Sequence, residues 1–337
     1  MNPIIETGSN KQLFIDDFVI HEAVGVTRHM HQPRKYIGNP IMIPLYPWEG
    51  KVSLYGTVWH YPDGKFRMWY QGYGGNGVPK MAKDNSDSPW KDFDASNLLY
   101  VIGYATSHNG IHWERPSLGL VEYEGSKDNN IILEGYVSRA FSPVIDRNPN
   151  CPAEARYKGL GGTNRNVGLF ALKSPDGINW SLLSDDPVIT DGAFDSQNLA
   201  FWDALRGEYR EYHRQFRDYP NGRDIMTGTS KDFLNWTDPV WLGYSPGRIS
   251  ELYTNGVIPY YRAPHIFLGF PTRYEDRGWT PSTEELPQLD YRRVRSSGNM
   301  REGTAVTDGM FMSSRDALNF DIWPESFIRP GLRARDG

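Results

Sequence analysis

Ser107-His-Asn-Gly-Ile-His-Trp113 is the first of four copies of one seven-residue motif in this 337-residue chain. The other copies are Ser174-Pro-Asp-Gly-Ile-Asn-Trp180, Ser230-Lys-Asp-Phe-Leu-Asn-Trp236 and Ser314-Arg-Asp-Ala-Leu-Asn-Phe320. Serine and aspartate side chains can bond nearby backbone amides, glycine supplies positive φ in two copies, and the final aromatic ring can pack back on a sheet. The motif therefore predicts a tight turn between two strands, repeated four times.

The sequence around the motif predicts a repeating unit of four strands. A strand precedes each copy, as at residues 99–106, and a hairpin lies further upstream, as at residues 55–70 with its turn at Pro62-Asp63-Gly64. The 34 glycines and 24 prolines also favour many short strands. Four-stranded antiparallel units repeated around an axis form a β-propeller, and a β-sandwich is the alternative. The strands predicted to be innermost are 53–60, 140–146, 194–202 and 255–260.

The fold class expected is all-β, as a single propeller domain over residues 1–337. Four blades are recognisable, with an N-terminal strand at Gln12–Ile20, and only six residues follow Gly331. Either the ring closes with four blades, or it is a five-bladed type whose last blade is incomplete and whose axial cavity is open on one side. Residues 74–97 and 275–303 have little periodicity, so they are predicted to be long loops within blades.

Composition and charge narrow the possible partners. The net charge is −5 and no run of five or six like charges occurs, so nucleic acid is an unexpected partner. No stretch approaches 18 apolar residues, and the N-terminus lacks the pattern of a signal peptide, so no membrane association and a cytoplasmic location are expected. The lone Cys151 is expected to be inert. The oligomeric state is left open.

The repeated turn resembles that of the five-bladed β-propeller glycosidases, which include invertases, arabinanases, β-xylosidases and mannoside phosphorylases. The phrase Tyr104-Ala-Thr-Ser-His-Asn-Gly-Ile-His-Trp113 carries this resemblance, which covers residues of about 45 to 330. The sequence is also similar to a bacterial group of such proteins that opens with an "LFIDD" strand, here Leu13 to Asp17, followed by Pro47-Trp48-Glu49 and Leu252 to Asn255. Members of that group continue further, which favours an incomplete last blade here.

The resemblance implies acidic residues at the axial ends of the innermost strands, where they would cleave a glycosidic bond by acid/base catalysis. Asp195 stands just before the third innermost strand, as the family's transition-state-stabilising Asp does. Glu251 matches the general acid, with Tyr253 and Tyr260 expected to pack on it and raise its pKa. The first innermost strand lacks the family's Asp, and Glu49, Asp17 and Asp16 are the nearest acids, with Glu49 the first choice as base.

Aromatic and basic residues near these acids are expected to bind a carbohydrate substrate. Aromatic rings stack on sugars, and Trp69 joins the stacking candidates; arginine forks bind carboxylate or phosphate, so an acidic sugar or inorganic phosphate would explain the arginines. Alternatively, the arginines have a structural role, in which they pair with acids or stack on aromatic rings within the protein. The expected substrate-binding residues are Trp48, Tyr55, Trp59, Asp17, Arg214, Arg223, Tyr253, Asn255, Arg262, His265 and Arg273.

No organic cofactor or catalytic metal is expected. The stretch Asp84-Asn-Ser-Asp87 offers oxygen ligands for a structural Ca²⁺, but it lacks the calcium-loop pattern and is expected to be a solvated loop. The function predicted is therefore a glycoside hydrolase acting on an oligosaccharide. A phosphate-dependent glycoside phosphorylase and a non-catalytic carbohydrate-binding propeller are the alternatives.

Overall fold

A computed structural model shows that the chain is mostly antiparallel β-sheet. The structure describes residues 4–74, 99–162, 167–217, 222–248, 250–287 and 289–330. The first three sheets each have four strands, in which neighbours along the chain are neighbours in the sheet. The first contains β1 (Lys51–His60), β2 (Phe66–Gly74), β3 (Leu99–Ser107) and β4 (Ile131–Glu134). The second contains β5 (Val144–Ile145), β6 (Tyr157–Gly161), β7 (Phe170–Ser174) and β8 (Ser181–Leu182), and the third β9 (Leu199–Asp203), β10 (Glu208–Phe216), β11 (Arg223–Ser230) and β12 (Val240–Trp241).

The fourth sheet has seven strands. They are β13 (Gly243–Ser245), β14 (Glu251–Leu252), β15 (Ile258–Tyr260), β16 (Ala263–Gly269), β17 (Thr272–Glu275), β18 (Val306–Ser314) and β19 (Asn319–Ile328). Their order is β13-β19-β18-β16-β15, and β17 pairs with both β14 and β18. The chain leaving the third sheet forms β13, which pairs in parallel with β19. This pairing ties the third sheet to the fourth.

The four motif copies form the predicted turns. In the third copy, the Ser230 hydroxyl accepts hydrogen bonds from the amides of Asp232 (3.2 Å) and Phe233 (3.0 Å), and Asp232 accepts from the amides of Leu234 (2.9 Å) and Asn235 (2.7 Å). The same four bonds recur in the other copies. The fourth position has positive φ in every copy, although only two copies have glycine there.

Successive sheets pack face to face through aromatic and aliphatic side chains. Trp69 of β2 and Tyr157 of β6 meet between the first and second sheets, and Leu160 and Tyr209 lie in the cluster between the second and third. Tyr212 packs edge-on against Phe320 between the third and fourth. This sequential packing of four-stranded meanders confirms the predicted all-β class and its repeating unit.

The prediction of an N-terminal strand at Gln12–Ile20 is wrong. Residues 12–20 form turns and bends rather than a strand, and they meet the fourth sheet through side chains. Asp16 accepts two bonds from Arg315 (2.8 and 3.0 Å), and Trp323 donates to the carbonyl of Ile15 at 3.3 Å. No main-chain ladder between residues 13–20 and 321–329 occurs among the described pairs.

The prediction of a loop at 275–303 is also wrong, because three helices lie between β17 and β18. These are α1 (Pro281–Glu284), α2 (Leu289–Gly298) and α3 (Met300–Thr304), inserted between β17 and β18. Thr280 caps α1 and Asn299 caps α3 with side-chain hydrogen bonds. The longest helix of the described chain has ten residues, which is too short to cross a membrane.

The strands of each sheet begin and end at two opposite sides, and the connections differ between these two sides. All four motif turns lie at one edge, called here the turn edge, after β3, β7, β11 and β18. The long connections from β2 to β3 and from β17 to β18 leave from the opposite edge, called the loop edge. Asp195 and Glu251 precede or begin inner strands at this loop edge. Since loops usually carry function, the loop edge is where a site is expected.

Candidate functional site

Tyr253 joins the two predicted carboxylates into one group at the loop edge. The guanidinium of Arg214 lies 4.8 Å from the centre of the Tyr253 ring, and that of Arg223 lies 5.4 Å from it. Arg214 forms an ion pair with Asp195, and Arg223 forms one with Glu251. We call these five residues the Tyr253 cluster. Acids separated by 56 positions in the chain are thus linked through two arginines that contact the same ring.

Asp195 is the accessible carboxylate of the Tyr253 cluster. Its side chain is 44% exposed, whereas that of its partner Arg214 is 3% exposed. Arg214 bonds one oxygen, and no described residue donates to the other. Asp195 does not cap its own turn, because it bonds Arg214 rather than a nearby amide. Its second oxygen is therefore free to contact a ligand.

Glu251 is more enclosed, with 15% of its side chain exposed. Its Oε2 accepts from the backbone amide of Arg223 at 3.0 Å and from the same residue's guanidinium at 3.2 Å, while its Oε1 accepts from Arg301 of α3. A methyl group at Gly222 would collide with this carboxylate. The hydrogen bonds to the carboxyl group come from Arg223 and Arg301, and packing by Tyr253 and Tyr260 stays a prediction.

Tyr55 lies beside Tyr253 on the first innermost strand. Burial raises the pKa of the Tyr55 hydroxyl, and the neighbouring Tyr253 hydroxyl, to which it is hydrogen-bonded, raises it further. Tyr55 therefore remains protonated near neutral pH and can donate a hydrogen bond. It occupies the blade in which the sequence offers no acid at the start of the inner strand.

Buried polar contacts fix the segments that carry the cluster. Ser196 donates to the carbonyl of Tyr253 at 2.7 Å. Asn255 donates to the carbonyls of Gln197 (3.0 Å) and Tyr212 (3.2 Å), and it is almost completely buried. Asn255 therefore holds the third and fourth sheets together, which does not support its expected contact with substrate.

Glu49 is completely buried and fully hydrogen-bonded. Its Oε1 accepts from Tyr70 (2.5 Å) and Arg115 (2.6 Å), and its Oε2 accepts from the amides of Leu45 (2.6 Å) and Tyr46 (3.2 Å). Such a carboxylate stabilises the fold around β2. Its role as base remains a prediction, and this geometry weighs against it.

Several of the other predicted binding residues are packed or paired within the protein. Trp48 and Trp69 are buried in the core, and Trp59 packs between core clusters, so none is placed as a sugar-stacking platform. Arg273 forms a two-bond pair with Asp308 (2.8 and 2.5 Å).

The remaining predicted residues sit near the turn edge or the N-terminal segment. Arg262 is exposed in the hairpin between β15 and β16. His265 lies near Arg315. Burial is the larger cause that lowers the pKa of the His265 imidazole, and the positive charge of Arg315 lowers it further. Asp17 is exposed and pairs with Arg28, and Asp16 is buried against Arg315. The structure supports none of these four as part of the Tyr253 cluster.

No group of three or more His, Cys, Asp or Glu side chains is arranged to hold a metal ion in the described part of the chain. Asp84 and Asp87 lie outside the described residues. Cys151 lies 3.3 Å from the amino group of Lys158, and burial raises the pKa of its thiol. The thiol is therefore mainly protonated near neutral pH.

Two arginines at the loop edge are not among the site residues that the sequence predicts. Arg301 comes from the helical insertion, and its guanidinium stacks 4.9 Å above Tyr274 while binding Glu251. Arg139 lies 4.7 Å from the centre of the Tyr100 ring at the loop edge. The alternation of β2 and β3, which places Tyr73 and Tyr100 side by side, is the one sequence signal that could have pointed to this position.

Comparisons with known proteins place the fold. No protein-family model matches the sequence. An uncharacterized protein of Mycobacterium tuberculosis is 28% identical over 146 residues, which is 43% of this chain and 38% of that relative's length.

Solved structures resemble the chain over most of its length. A glycosyl hydrolase from Bacteroides ovatus shares 15% identity at a TM-score of 0.53, covering 90% of this chain and 82% of that one. A β-1,2-mannobiose phosphorylase from Listeria innocua shares 14% identity at a TM-score of 0.53, covering 88% and 84%. The chain therefore shares its fold with a glycosyl hydrolase and with a mannobiose phosphorylase.

Proposed function

We propose that this protein cleaves glycosidic bonds as a glycoside hydrolase, with Asp195 and Glu251 as its two carboxylates. The observation that carries the proposal is the Tyr253 cluster, in which two acids at the loop edge pair with arginines that both contact one tyrosine ring. Glycoside cleavage needs one carboxyl group to protonate the leaving oxygen and a carboxylate to act as base or nucleophile. The fold shared with a glycosyl hydrolase and a mannobiose phosphorylase supports the same class of chemistry.

The two acids differ in what they offer a substrate. Asp195 presents a free, solvated oxygen, which suits the base, nucleophile or stabilising role. Glu251 is the proposed proton donor, and substrate binding would have to displace one of its arginine contacts. Tyr55, whose hydroxyl is hydrogen-bonded to Tyr253, would contact the sugar at the position where the first inner strand lacks an acid.

Activity on a panel of 4-nitrophenyl glycosides and neutral and acidic oligosaccharides tests the proposal. Asp195→Asn and Glu251→Gln should each lower kcat by about 100-fold or more when assayed at a temperature at which circular dichroism shows that both variants are folded. Asp63→Asn is the matched control, because Asp63 is similarly exposed (46%) and also pairs with an arginine, but it lies at the turn edge. Full turnover in both cluster variants would refute the assignment.

The leaving group separates the two roles. With 2,4-dinitrophenyl glycosides, whose leaving group needs no protonation, the variant that lacks the acid should recover most of its activity. The variant that lacks the base or nucleophile should stay slow. If Asp195→Asn is the variant that recovers, the two roles are reversed.

A glycoside phosphorylase is the second candidate, because several arginines surround the cluster and arginine binds phosphate well. Parallel reactions with and without inorganic phosphate distinguish the two, since only a phosphorylase forms a sugar 1-phosphate. Binding of an oligosaccharide without cleavage in either reaction would instead indicate a carbohydrate-binding propeller.

A further inference from the structure

Arg139 stands at the loop edge between the first and second sheets. It follows a short 3-10 turn (Tyr136–Ser138) and precedes β5. Its carbonyl accepts from the amide of Gly162 at 3.3 Å, and the next amide, that of Ala140, donates to the buried side chain of Gln71 at 3.1 Å. The backbone is therefore held from both neighbouring sheets, and the side chain leaves from a fixed point.

The guanidinium of Arg139 lies over an aromatic ring rather than against an acid. It sits 4.7 Å from the centre of the Tyr100 ring, and Tyr73 meets Tyr100 edge-on at 5.4 Å. An arginine stacked on a ring keeps its in-plane N–H donors available to a further acceptor. No described residue forms a hydrogen bond or ion pair with this guanidinium.

The other arginines at this place are engaged. Arg214 pairs with Asp195, and Arg223 and Arg301 both pair with Glu251. Arg139 is a fourth arginine at the loop edge. With Asp276, 3.5 Å from Arg301, as a third acid, these described residues carry one more positive than negative charge.

Arg139 acts on the same region of space as Asp195. Burial raises the pKa of the Tyr100 hydroxyl; Arg139 opposes that shift, and Asp195 adds to it. Both charged groups are therefore within electrostatic range of one hydroxyl. A ligand that contacts the free oxygen of Asp195 and also reaches Tyr100 would come close to Arg139, which stacks on the Tyr100 ring.

We propose that Arg139 recognises a carboxylate group on the sugar bound at the Tyr253 cluster, so that the preferred ligands are acidic sugars. This inference rests on the proposed function for the identity of the ligand as a carbohydrate. The planar fork of arginine matches a carboxylate with two parallel hydrogen bonds, which gives direction as well as charge. An acidic sugar would also neutralise the surplus positive charge of the site.

Binding of free monosaccharides measured by calorimetry at low salt tests the inference. The probes are D-galacturonate and D-glucuronate, each compared with its neutral counterpart, D-galactose or D-glucose. The wild-type protein should bind at least one uronate about 10-fold or more tightly than the neutral sugar. Arg139→Met should remove this preference and weaken uronate binding about 10- to 100-fold, and Arg139→Lys should restore only part of it.

Arg147→Met is the matched control. Arg147 is exposed and also lies over a ring, that of Trp59 at 5.8 Å, but it follows β5 toward the turn edge. Its replacement should leave uronate binding unchanged. Higher ionic strength should weaken uronate binding and leave neutral-sugar binding nearly constant.

Three results would overturn the inference: equal affinity for uronates and neutral sugars, a uronate preference that survives Arg139→Met, or binding of inorganic phosphate but of neither uronate. The outcome is separable from the proposed function, because it is measured without cleavage. A uronate preference that depends on Arg139 in a protein that cleaves no glycoside would keep this inference and refute the hydrolase. Cleavage of neutral glycosides that Arg139→Met does not alter would do the reverse.

Discussion

Replacing Asp232 by asparagine is expected to destabilise the protein at neutral pH and to lose this effect in acid. Asp232 is the acid of the third motif turn. Its Oδ1 accepts bonds from two amides and from the Ser230 hydroxyl (3.0 Å), and its Oδ2 accepts from the Asn235 side chain at 2.7 Å. Asparagine can keep the Oδ1 bonds, as Asn109 does in the first copy, but it cannot keep the charge or the second acceptor.

The pKa of Asp232 gives the size of the effect. Burial opposes ionisation, but the hydrogen bonds from Asn235, Leu234 and Ser230 outweigh it and lower the pKa from 3.8 to about 2. A shift of that size corresponds to at most about 2.5 kcal/mol. Because the side chain is exposed, solvent screening reduces the contribution to about 1 kcal/mol.

The sign of the pH dependence follows from the lowered pKa in the folded state. The folded protein holds fewer protons at this site than the unfolded chain, so the contribution is complete above about pH 5 and is lost as the pH falls toward 2. Urea unfolding followed by tryptophan fluorescence between pH 3 and pH 7 measures it. Asp185→Asn is the control, because Asp185 is exposed outside the motif. Equal stability of Asp232→Asn and wild type at pH 7, or a deficit that persists unchanged at pH 3, would refute the reasoning.

Three further changes test the core, the site and the turns. Glu49→Gln should lower the free energy of unfolding by about 3 kcal/mol, because it leaves a buried arginine unpaired; lost activity with an unchanged melting temperature would instead support its role as base. Tyr55→Phe should lower kcat/KM about 10-fold at nearly constant melting temperature, since it removes one hydroxyl beside Tyr253; an unchanged rate would exclude that hydroxyl from the reaction. Gly177→Ala should cost more than Gly110→Ala in thermal unfolding, by roughly 1 kcal/mol or more: both glycines have positive φ, but only at Gly177 would the new methyl group press on Trp69 (2.8 Å). Equal losses in the two glycine variants would contradict this contact.

The features that the sequence predicted correctly are local ones. The motif turn depends on bonds between residues two or three positions apart, so its four copies can be recognised without knowing the fold. The hairpins at 55–70 and 198–212 follow from alternation and turn residues, and they are β1–β2 and β9–β10 in the structure. The roles of Asp195 and Glu251, which follow from the resemblance and from their position just before an inner strand, stay predictions.

The features that were missed depend on distant contacts or on weak patterns. Helix α2 is strongly polar, so the sequence at this position predicts a loop rather than a helix. Arg301 binds an acid fifty positions earlier in the chain, and no spacing rule reports such a pair. Glu49 was chosen because it was the nearest acid along the chain, but Tyr70 and Arg115 bury it. Burial is a property of the packed sheets, and proximity in sequence does not reveal it.

The helical insertion between β17 and β18 can vary without changing the sheet, and this affects how the Tyr253 cluster can change. Glu275 and Val306, at its two ends, are direct register partners in the antiparallel pair β17–β18. The thirty residues between them therefore occupy the position of a simple hairpin turn, and the ladder on either side does not depend on their length. Exchange of this one segment replaces Arg301, a direct partner of Glu251, while every strand keeps its register. Natural variation or laboratory recombination at this junction can thus change the groups around Glu251 while the paired strands stay the same.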